Sequence, residues 1–150
     1  MWSNEWGSKI YLCRGSKHSK GVAILFNPKL RVEIEQQIES EDGRILILRV
    51  QVDDLKLVCA NIYTPNDTSS QIIFIRHVQN PLQQFSGENI IIGSDFNCPF
   101  AKDDKEGTRD LSSKKNIVAE LKLLLSSLDS EDVWRKLHPN NKQFTRQTPD

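Results

Sequence analysis

The first half of the chain carries five short apolar runs, several of which alternate with polar residues at the period of two that is typical of β-strands. They cover residues 10–13, 21–26, 30–34, 45–52 and 55–63. Only a polar turn at residues 53–54 separates the last two runs, so the sequence predicts an antiparallel hairpin there. The near-continuous apolar character of both hairpin strands indicates that helices or a second sheet cover both faces.

The second half predicts two helices and two further strands. Residues 68–70 can cap a first helix, which Pro81 kinks or ends. Residues 89–93 predict a core strand, and residues 144–145 are typical of the start of another. A second helix is predicted to pack on the sheet through an apolar face made of Ile117, Val118, Leu121, Leu124, Leu125 and Leu128.

These elements predict the fold class. Antiparallel strand pairs interleaved with amphipathic helices indicate an α/β or α+β layered sandwich, with mostly antiparallel sheets flanked by helices. A doubly wound parallel sheet is disfavoured, because it needs a helical crossover between successive strands.

Composition and charge restrict the partners. The chain has 150 residues, of which 37% are hydrophobic and 27% charged, as expected of one domain or part of one. Lysine plus arginine equals aspartate plus glutamate at 20 each, so any nucleic-acid binding must rest on local patches. Two basic clusters can supply phosphate contacts or be solvated surface: Lys9, Arg14, Lys17 and Lys20, and Arg135, Lys136, Lys142 and Arg146.

The cysteines and the absence of targeting patterns bear on location. Cys13, Cys59 and Cys98 lie far apart without metal-ligand spacing, so reduced thiols are predicted rather than disulfides or a zinc site. No apolar stretch is long enough for a membrane helix, and the first residues lack signal-peptide character. A nuclear or cytoplasmic location is therefore expected, with no membrane partner.

Asp95 and Asn97 are the first candidates for chemistry. They stand two residues apart, just beyond a predicted strand, so that one strand end can aim both side chains at a single point. A carboxylate there can orient water or bind a divalent cation, and an amide can hydrogen-bond a phosphate oxygen without adding charge. The alternative is an ordinary turn, which aspartate and asparagine both favour.

A second candidate segment follows residues 55–63. Tyr63 and Asn66 flank Thr64-Pro65, so a phenol and an amide project from a loop that proline stiffens. An ordinary connection between a strand and a helix has the same composition. The presence of both segments in one chain, some thirty residues apart, favours a functional site over an ordinary turn or connection.

The chain resembles the endonuclease/exonuclease/phosphatase superfamily, and within it the endonuclease domain of LINE-type retrotransposons. The paired signatures are residues 61–66, Asn-Ile-Tyr-Thr-Pro-Asn, and residues 91–99, Ile-Ile-Gly-Ser-Asp-Phe-Asn-Cys-Pro, in the family's order and spacing. Residues 19–25, 132–139 and 144–145 are similar to that branch as well. The resemblance covers nearly the whole chain and implies a DNase I-like fold.

The resemblance also implies roles for particular residues. It makes Asp95 the residue that positions or activates the attacking water, Asn97 a contact to the scissile phosphate and Tyr63 a support for that phosphate. Asn66 and Thr145 match positions that approach the DNA. Lys105 is a looser match to a DNA-contacting basic residue, with solvated lysine as the alternative. The implied partners are DNA and, in a full-length element, a reverse transcriptase domain.

The resemblance further implies a Mg²⁺ or Mn²⁺ cofactor. The family's asparagine and metal-binding glutamate from earlier strands, and its C-terminal Ser-Asp-His segment with a further aspartate, find no match here. Residues 1–150 are therefore expected to be a partial domain that binds the ion weakly, since few ligands hold it. Glu88 precedes the strand that Asp95 follows and is predicted to be a solvated turn residue. Ser94 replaces a second glycine of the family, at some expected cost in backbone freedom.

Three functions follow from the resemblance. The first is a divalent-metal-dependent DNA endonuclease of a retrotransposon, which nicks one strand. The second is a catalytically inactive remnant or weak DNA-binding module. The third is a phosphoesterase of the same superfamily that acts on small or lipid phosphates.

Overall fold

The computed structural model describes residues 6–7, 9–15, 21–98, 114–139 and 141 of the chain. The strands are β1 (Ile10–Cys13), β2 (Val22–Leu25), β3 (Val32–Glu39), β4 (Ile45–Val52), β5 (Leu55–Tyr63) and β6 (Ile90–Asp95). The helices are α1 (Thr68–Gln83), α2 (Lys115–Ser127) and α3 (Val133–Leu137).

The strands form two sheets. β1 and β2 pair antiparallel in a small sheet, and the larger sheet has the order β3-β4-β5-β6. Within the larger sheet β3, β4 and β5 are antiparallel, whereas β5 and β6 are parallel and are joined through α1. This mixture of mostly antiparallel sheets with helices confirms the predicted layered α/β class.

The larger sheet is the middle of three layers, and β4 shows it most clearly. Ile45 and Ile47 point into a core shared with the helices, whereas Leu46 and Leu48 point into a core shared with the small sheet. All four are at most 2% exposed. The prediction that both faces of this strand are covered is therefore confirmed, because helices cover one face and a sheet covers the other.

The predicted hairpin is also confirmed. β4 and β5 pair from Ile45↔Ile62 to Val52↔Leu55. Asp53 in the connecting turn has a φ of 51°, a left-handed conformation that aspartate tolerates better than most residues. The reversal of chain direction at this turn places the start of β4 beside the end of β5.

Two strands differ from the prediction. β3 continues beyond residue 34 to Glu39, with a register shift between Ile34 and Gln36 that a bulge produces. In the part of the chain that the structure describes, β6 lies at the edge of the larger sheet, and its residue Ile91 is 57% exposed. Residues 89–93 are therefore an edge strand rather than a fully buried one, because neighbours in the described part of the chain cover only one of its faces.

Helix α1 begins one residue earlier than predicted. Its N-cap is Asp67, whose side chain accepts a hydrogen bond of 2.8 Å from the Ser70 N–H, so the cap is not one of residues 68–70. Of the two effects predicted for Pro81, a kink or an end, the helix does not end there, since it continues to Gln83. Proline has no N–H, so the helical hydrogen bond that residue 81 would donate is missing in the last turn.

The Asp67 cap predicts a pH-dependent stability. Hydrogen bonds from the Ser70 backbone, then from the Ser70 and Ser69 side chains, hold the pKa of Asp67 below its usual 3.8. The carboxylate therefore stabilises the folded state above about pH 3.8, and this stabilisation is lost as the pH falls through the lowered pKa. We expect Asp67→Ala to destabilise the chain at pH 7 and to have little effect near pH 2.

Urea unfolding at both pH values measures this difference. Asp67→Asn is the matched variant, since it keeps the capping oxygen without the charge; its stability at pH 7 should lie between those of the native chain and Asp67→Ala, and should lack the pH dependence of the native cap. An Asp67→Ala effect of equal size at both pH values would contradict the assignment of the cap.

Helix α2 confirms the predicted amphipathic face. Ile117, Leu121 and Leu124 are at most 2% exposed and belong to the core shared by the larger sheet and α1. Leu128, just beyond the helix, extends the same face, whereas Val118 and Leu125 are half-buried at its margin. Among the described residues, the longest helix is α1 with 16 residues, and no helix there has the length and apolarity to cross a membrane.

Candidate active site

The parallel pairing of β5 and β6 brings the two candidate segments together. Tyr63 and Asp95 are the last residues of their strands and are register partners. Parallel strands end at the same edge of a sheet, and residues in register project from the same face. Both side chains therefore point to the face that the small sheet covers.

A cleft of about 550 Å³ opens between this strand end and the small sheet. It is lined by Leu12, Cys13, Arg14, Gly21, Val22, Ala23, Leu25, Asn61, Ile62, Tyr63 and Asp95. Asn61 ties the two sheets together beside it, because its side-chain N–H donates to the Ala23 carbonyl at 2.7 Å. Asp95 is the one carboxylate among the described lining residues, and Arg14 is the one full cation.

Asn97 joins Asp95 through a local hydrogen bond. The Asn97 N–H donates to Asp95 Oδ1 at 3.0 Å, and Asn97 adopts a left-handed φ of 49°. This is the geometry that the turn interpretation expects. The same bond holds the Asn97 backbone against the Asp95 carboxylate at the strand end, so the turn and the candidate site are one structure.

The two candidate loops are bonded to each other as well. The Thr64 N–H donates to the Asp95 carbonyl at 3.1 Å, and the Asn97 side-chain amide donates to the Thr64 carbonyl at 2.8 Å. An amide NH₂ has two protons, so this bond leaves Asn97 a second donor. The loops around Tyr63 and Asn97 therefore form one rigid platform.

The remaining predicted residues fall into two groups. Asn66 is exposed in the loop between β5 and α1, at the same end of the sheet as Tyr63 and Asp95. Lys105 and Thr145, like residues 144–145 as a strand start, lie outside the described residues. Tyr63, Asp95, Asn97 and Asn66 are thus brought to one edge.

Ser94 fits the strand without strain. It lies in β6 and has no positive φ, and its hydroxyl donates to the Ile62 carbonyl at 2.8 Å. The left-handed residue of this segment is Asn97 instead. The expected cost of replacing glycine at position 94 is therefore absent from the backbone.

Glu88 lies at the opposite end of β6 from Asp95, as predicted. It is not simply solvated, because its carboxylate pairs with Arg49 at 2.9 Å, while Glu35 approaches the same guanidinium at 3.4 Å. The ion pair links β4 to the start of β6. This position cannot contribute to a site at the other end of the sheet.

Arg44 is a neighbour of the site that the motifs do not contain. Its guanidinium lies 5.1 Å from the centre of the Tyr63 ring, and its Nη1 donates to the Tyr63 carbonyl at 3.2 Å. The signal was present in the hairpin pattern, since Arg44 directly precedes the strand that pairs with the end of β5. A cation held over the phenol ring stabilises its orientation.

The turn before Arg44 explains how it is placed. Gly43 has a φ of 73°, and a Cβ at this position would overlap the backbone of Gly15. Glycine is therefore required for two reasons, conformation and close approach. The turn at residues 41–43 thereby closes against the loop that follows β1.

The basic clusters are only partly described. Arg14 lines the cleft. Lys9 instead donates a hydrogen bond to the Val32 carbonyl and so stabilises the fold. Arg135 stacks on Trp134 at 4.8 Å and donates to the Asn141 carbonyl. Lys17, Lys20, Lys142 and Arg146 lie outside the described residues.

The thiols near the site are kept protonated. Burial, and after it the charge of Glu39, raises the pKa of Cys13, and burial also raises the pKa of Cys98 and Cys59. A raised pKa leaves little thiolate at neutral pH, so these residues are poor nucleophiles.

The donor set can be compared with the needs of a divalent cation. Mg²⁺ keeps several waters and binds through one or two carboxylates together with substrate phosphates. Asp95 supplies one carboxylate, and Asn97, whose backbone N–H bonds that carboxylate, carries a side-chain amide oxygen. The described residues contain no group of three or more histidines, cysteines or carboxylates that would form a tighter site. The residues therefore suit a largely hydrated, weakly held ion.

No protein-family model matches the chain. It is 26% identical over 145 residues to the Transposon TX1 uncharacterized 149 kDa protein of Xenopus laevis, which covers 96% of this chain and 11% of that protein. The chain therefore spans about a tenth of the curated relative that it matches.

Two solved structures share its fold. D. rerio TDP2 complexed with single strand DNA product superposes with a TM-score of 0.55 at 15% identity, covering 93% of this chain and 53% of that one. D. rerio TDP2 humanized by 14 mutations gives 0.53 at 15% identity, over 88% of this chain and 50% of that one. Here the chain spans about half the length of each.

The arrangement of sheets and helices matches the DNase I-like α/β fold of these neighbours, as predicted. TDP2 is a member of the endonuclease/exonuclease/phosphatase superfamily. This chain shares the fold of that protein, the DNase I-like α/β fold.

Proposed function

We propose that the chain is a partial domain, over residues 1–150, of a divalent-metal-dependent DNA endonuclease that nicks one strand for a retrotransposon. The observation that carries the proposal is the register pairing of Tyr63 with Asp95, with Asn97 bonded to Asp95 beside them. The match to a transposon protein and the fold of a DNA-bound neighbour support it.

In this proposal Asp95, Asn97 and Tyr63 each act on the water molecule or on the oxygens of the scissile phosphate. Asp95 orients a water molecule and accepts its proton, because Asn97 occupies only one of its two oxygens. The free amide proton of Asn97 donates to a nonbridging phosphate oxygen, and the Tyr63 phenol donates to another. A neutral amide and a phenol are suited to this, since they donate hydrogen bonds without adding negative charge that would repel the phosphate.

A metal ion completes the proposed site. Asp95 and the Asn97 amide oxygen would hold Mg²⁺ or Mn²⁺, which when bound neutralises phosphate charge and stabilises the leaving oxygen. DNA would approach along the edge where Asn66 is exposed, and Lys105 and Thr145 are proposed as further contacts to it. A reverse transcriptase domain is the proposed partner in a full-length element, and the proposed location stays nuclear or cytoplasmic.

A second candidate function is a weak DNA-binding module without catalysis. The observation that favours it is the single carboxylate in the described lining of the cleft. A site that depends on one carboxylate holds its cation weakly, and a weakly held ion limits the rate.

Nicking of supercoiled plasmid separates these functions. The 150-residue chain is assayed with Mg²⁺ and with EDTA, beside a form extended with the N- and C-terminal segments typical of the superfamily. We expect Mg²⁺-dependent nicking, faster in the extended form. If only the extended form nicks the plasmid, while the 150-residue chain retards the plasmid in a gel, the result supports the DNA-binding module. Hydrolysis of a small or lipid phosphate by forms that leave plasmid intact would overturn both.

A further inference from the structure

Gln71 is a buried polar residue on an otherwise apolar helix face. It shares the core side of α1 with Ile75, Val78 and Leu82, at the spacing of successive helical turns. Gln71 is 0% exposed, although glutamine is rarely fully buried. A buried amide needs a hydrogen-bond partner to offset its loss of water.

The described partner of Gln71 is the candidate active-site loop. Its Nε2 donates to the Asn97 carbonyl at 3.3 Å, across 26 residues of sequence. Its Oε1 has no hydrogen-bond partner among the described residues. The polarity of this side chain therefore has one described use, which is to hold Asn97.

Asn97 needs such support. Its φ of 49° lies in the left-handed region, which costs energy for a residue with a Cβ. The same carbonyl also accepts from Lys114 Nζ at 2.6 Å, just before α2. Together with the bonds of its N–H to Asp95 and of its side chain to Thr64, four hydrogen bonds hold this residue.

We propose that Gln71 is a positioning residue, which fixes the Asn97 peptide in the conformation that presents its amide to the scissile phosphate. This inference rests on the proposed endonuclease function. Gln71 lies in the first turn of α1, directly after the loop that carries Tyr63 and Asn66. It therefore links the placement of Asn97 to that of the other candidate segment.

The test uses Gln71→Met, which keeps side-chain length and suits the apolar face but cannot donate. Gln79→Met is the matched control, because Gln79 lies on the same helix and has no hydrogen bond to the site within the part of the chain that the structure describes. We expect Gln71→Met to lower kcat for nicking by about 10²-fold, with KM little changed and the melting temperature kept or raised.

Hydrogen exchange of the Asn97 backbone and side-chain amides is measured by NMR in the same variants. We expect faster exchange in Gln71→Met and no change in Gln79→Met. Unchanged exchange, or a lower melting temperature with kcat per folded molecule intact, would overturn the proposal. Faster exchange in a chain whose native form never nicks DNA keeps Gln71 as the residue that holds the loop, and overturns the nuclease function instead.

Discussion

Asp95→Asn is expected to lower the rate of plasmid nicking by about 10³-fold, the scale of a lost general base. Asparagine has nearly the same shape, and its amide oxygen can still accept from the Asn97 N–H, which holds the loop in the native chain. What it loses is the ability to accept a proton from water and the charge that attracts a cation. The loss should therefore appear in kcat while the melting temperature stays nearly constant.

Asp54→Asn is the matched control for this variant. Asp54 is an exposed aspartate in the turn between β4 and β5, at the opposite end of the sheet from Asp95. It should nick at the native rate. Equal nicking by native chain and Asp95→Asn, prepared and assayed identically, would show that the strand-end carboxylate is not catalytic, and contaminating nuclease would have to account for the signal.

Leu46→Ala is expected to lower the free energy of unfolding by about 3 kcal/mol. Leu46 is 0% exposed and lies in the core between β4 and the small sheet. Removing its branched end leaves a cavity that both sheets line, and strands held in register cannot collapse to fill it. A loss of this size should lower the melting temperature by roughly 10 °C.

Leu55→Ala provides the comparison, since Leu55 is a strand leucine that is 52% exposed. It should change the free energy of unfolding by less than about 0.5 kcal/mol. Urea unfolding followed by circular dichroism measures both variants. If both substitutions lower the free energy of unfolding equally, the small sheet does not cover this face. The cleft between the small sheet and the strand end with Tyr63 and Asp95 would then not exist.

The position of the candidate site was largely predictable from the chain. Residues 61–66 and 91–99 each place polar side chains directly after an apolar run, and a run that ends in polar residues marks the end of a strand. Periodicity is a local property, so the sequence also determined β1, the β4–β5 hairpin and the apolar face of α2. The superfamily resemblance rested on the same two segments.

The tertiary structure decided what depends on contacts between distant residues. The parallel pairing of β5 with β6 sets Tyr63 beside Asp95, and no local pattern specifies which strands become neighbours. The exposure of Ile91 follows from the position of β6 at the described edge of the sheet, which its apolar composition did not reveal. Burial depends on the neighbours that a strand acquires.

The supporting residues of the site show the same division. Arg44 and Gln71 are not in the motifs, yet one lies over the Tyr63 ring and the other bonds the Asn97 carbonyl. The sequence by itself determined the elements and the residue types at their ends, because backbone preference and hydrophobic period act over a few residues. Only the folded chain decided which side chains support those ends, because these hydrogen bonds and ring contacts join residues about twenty or more positions apart.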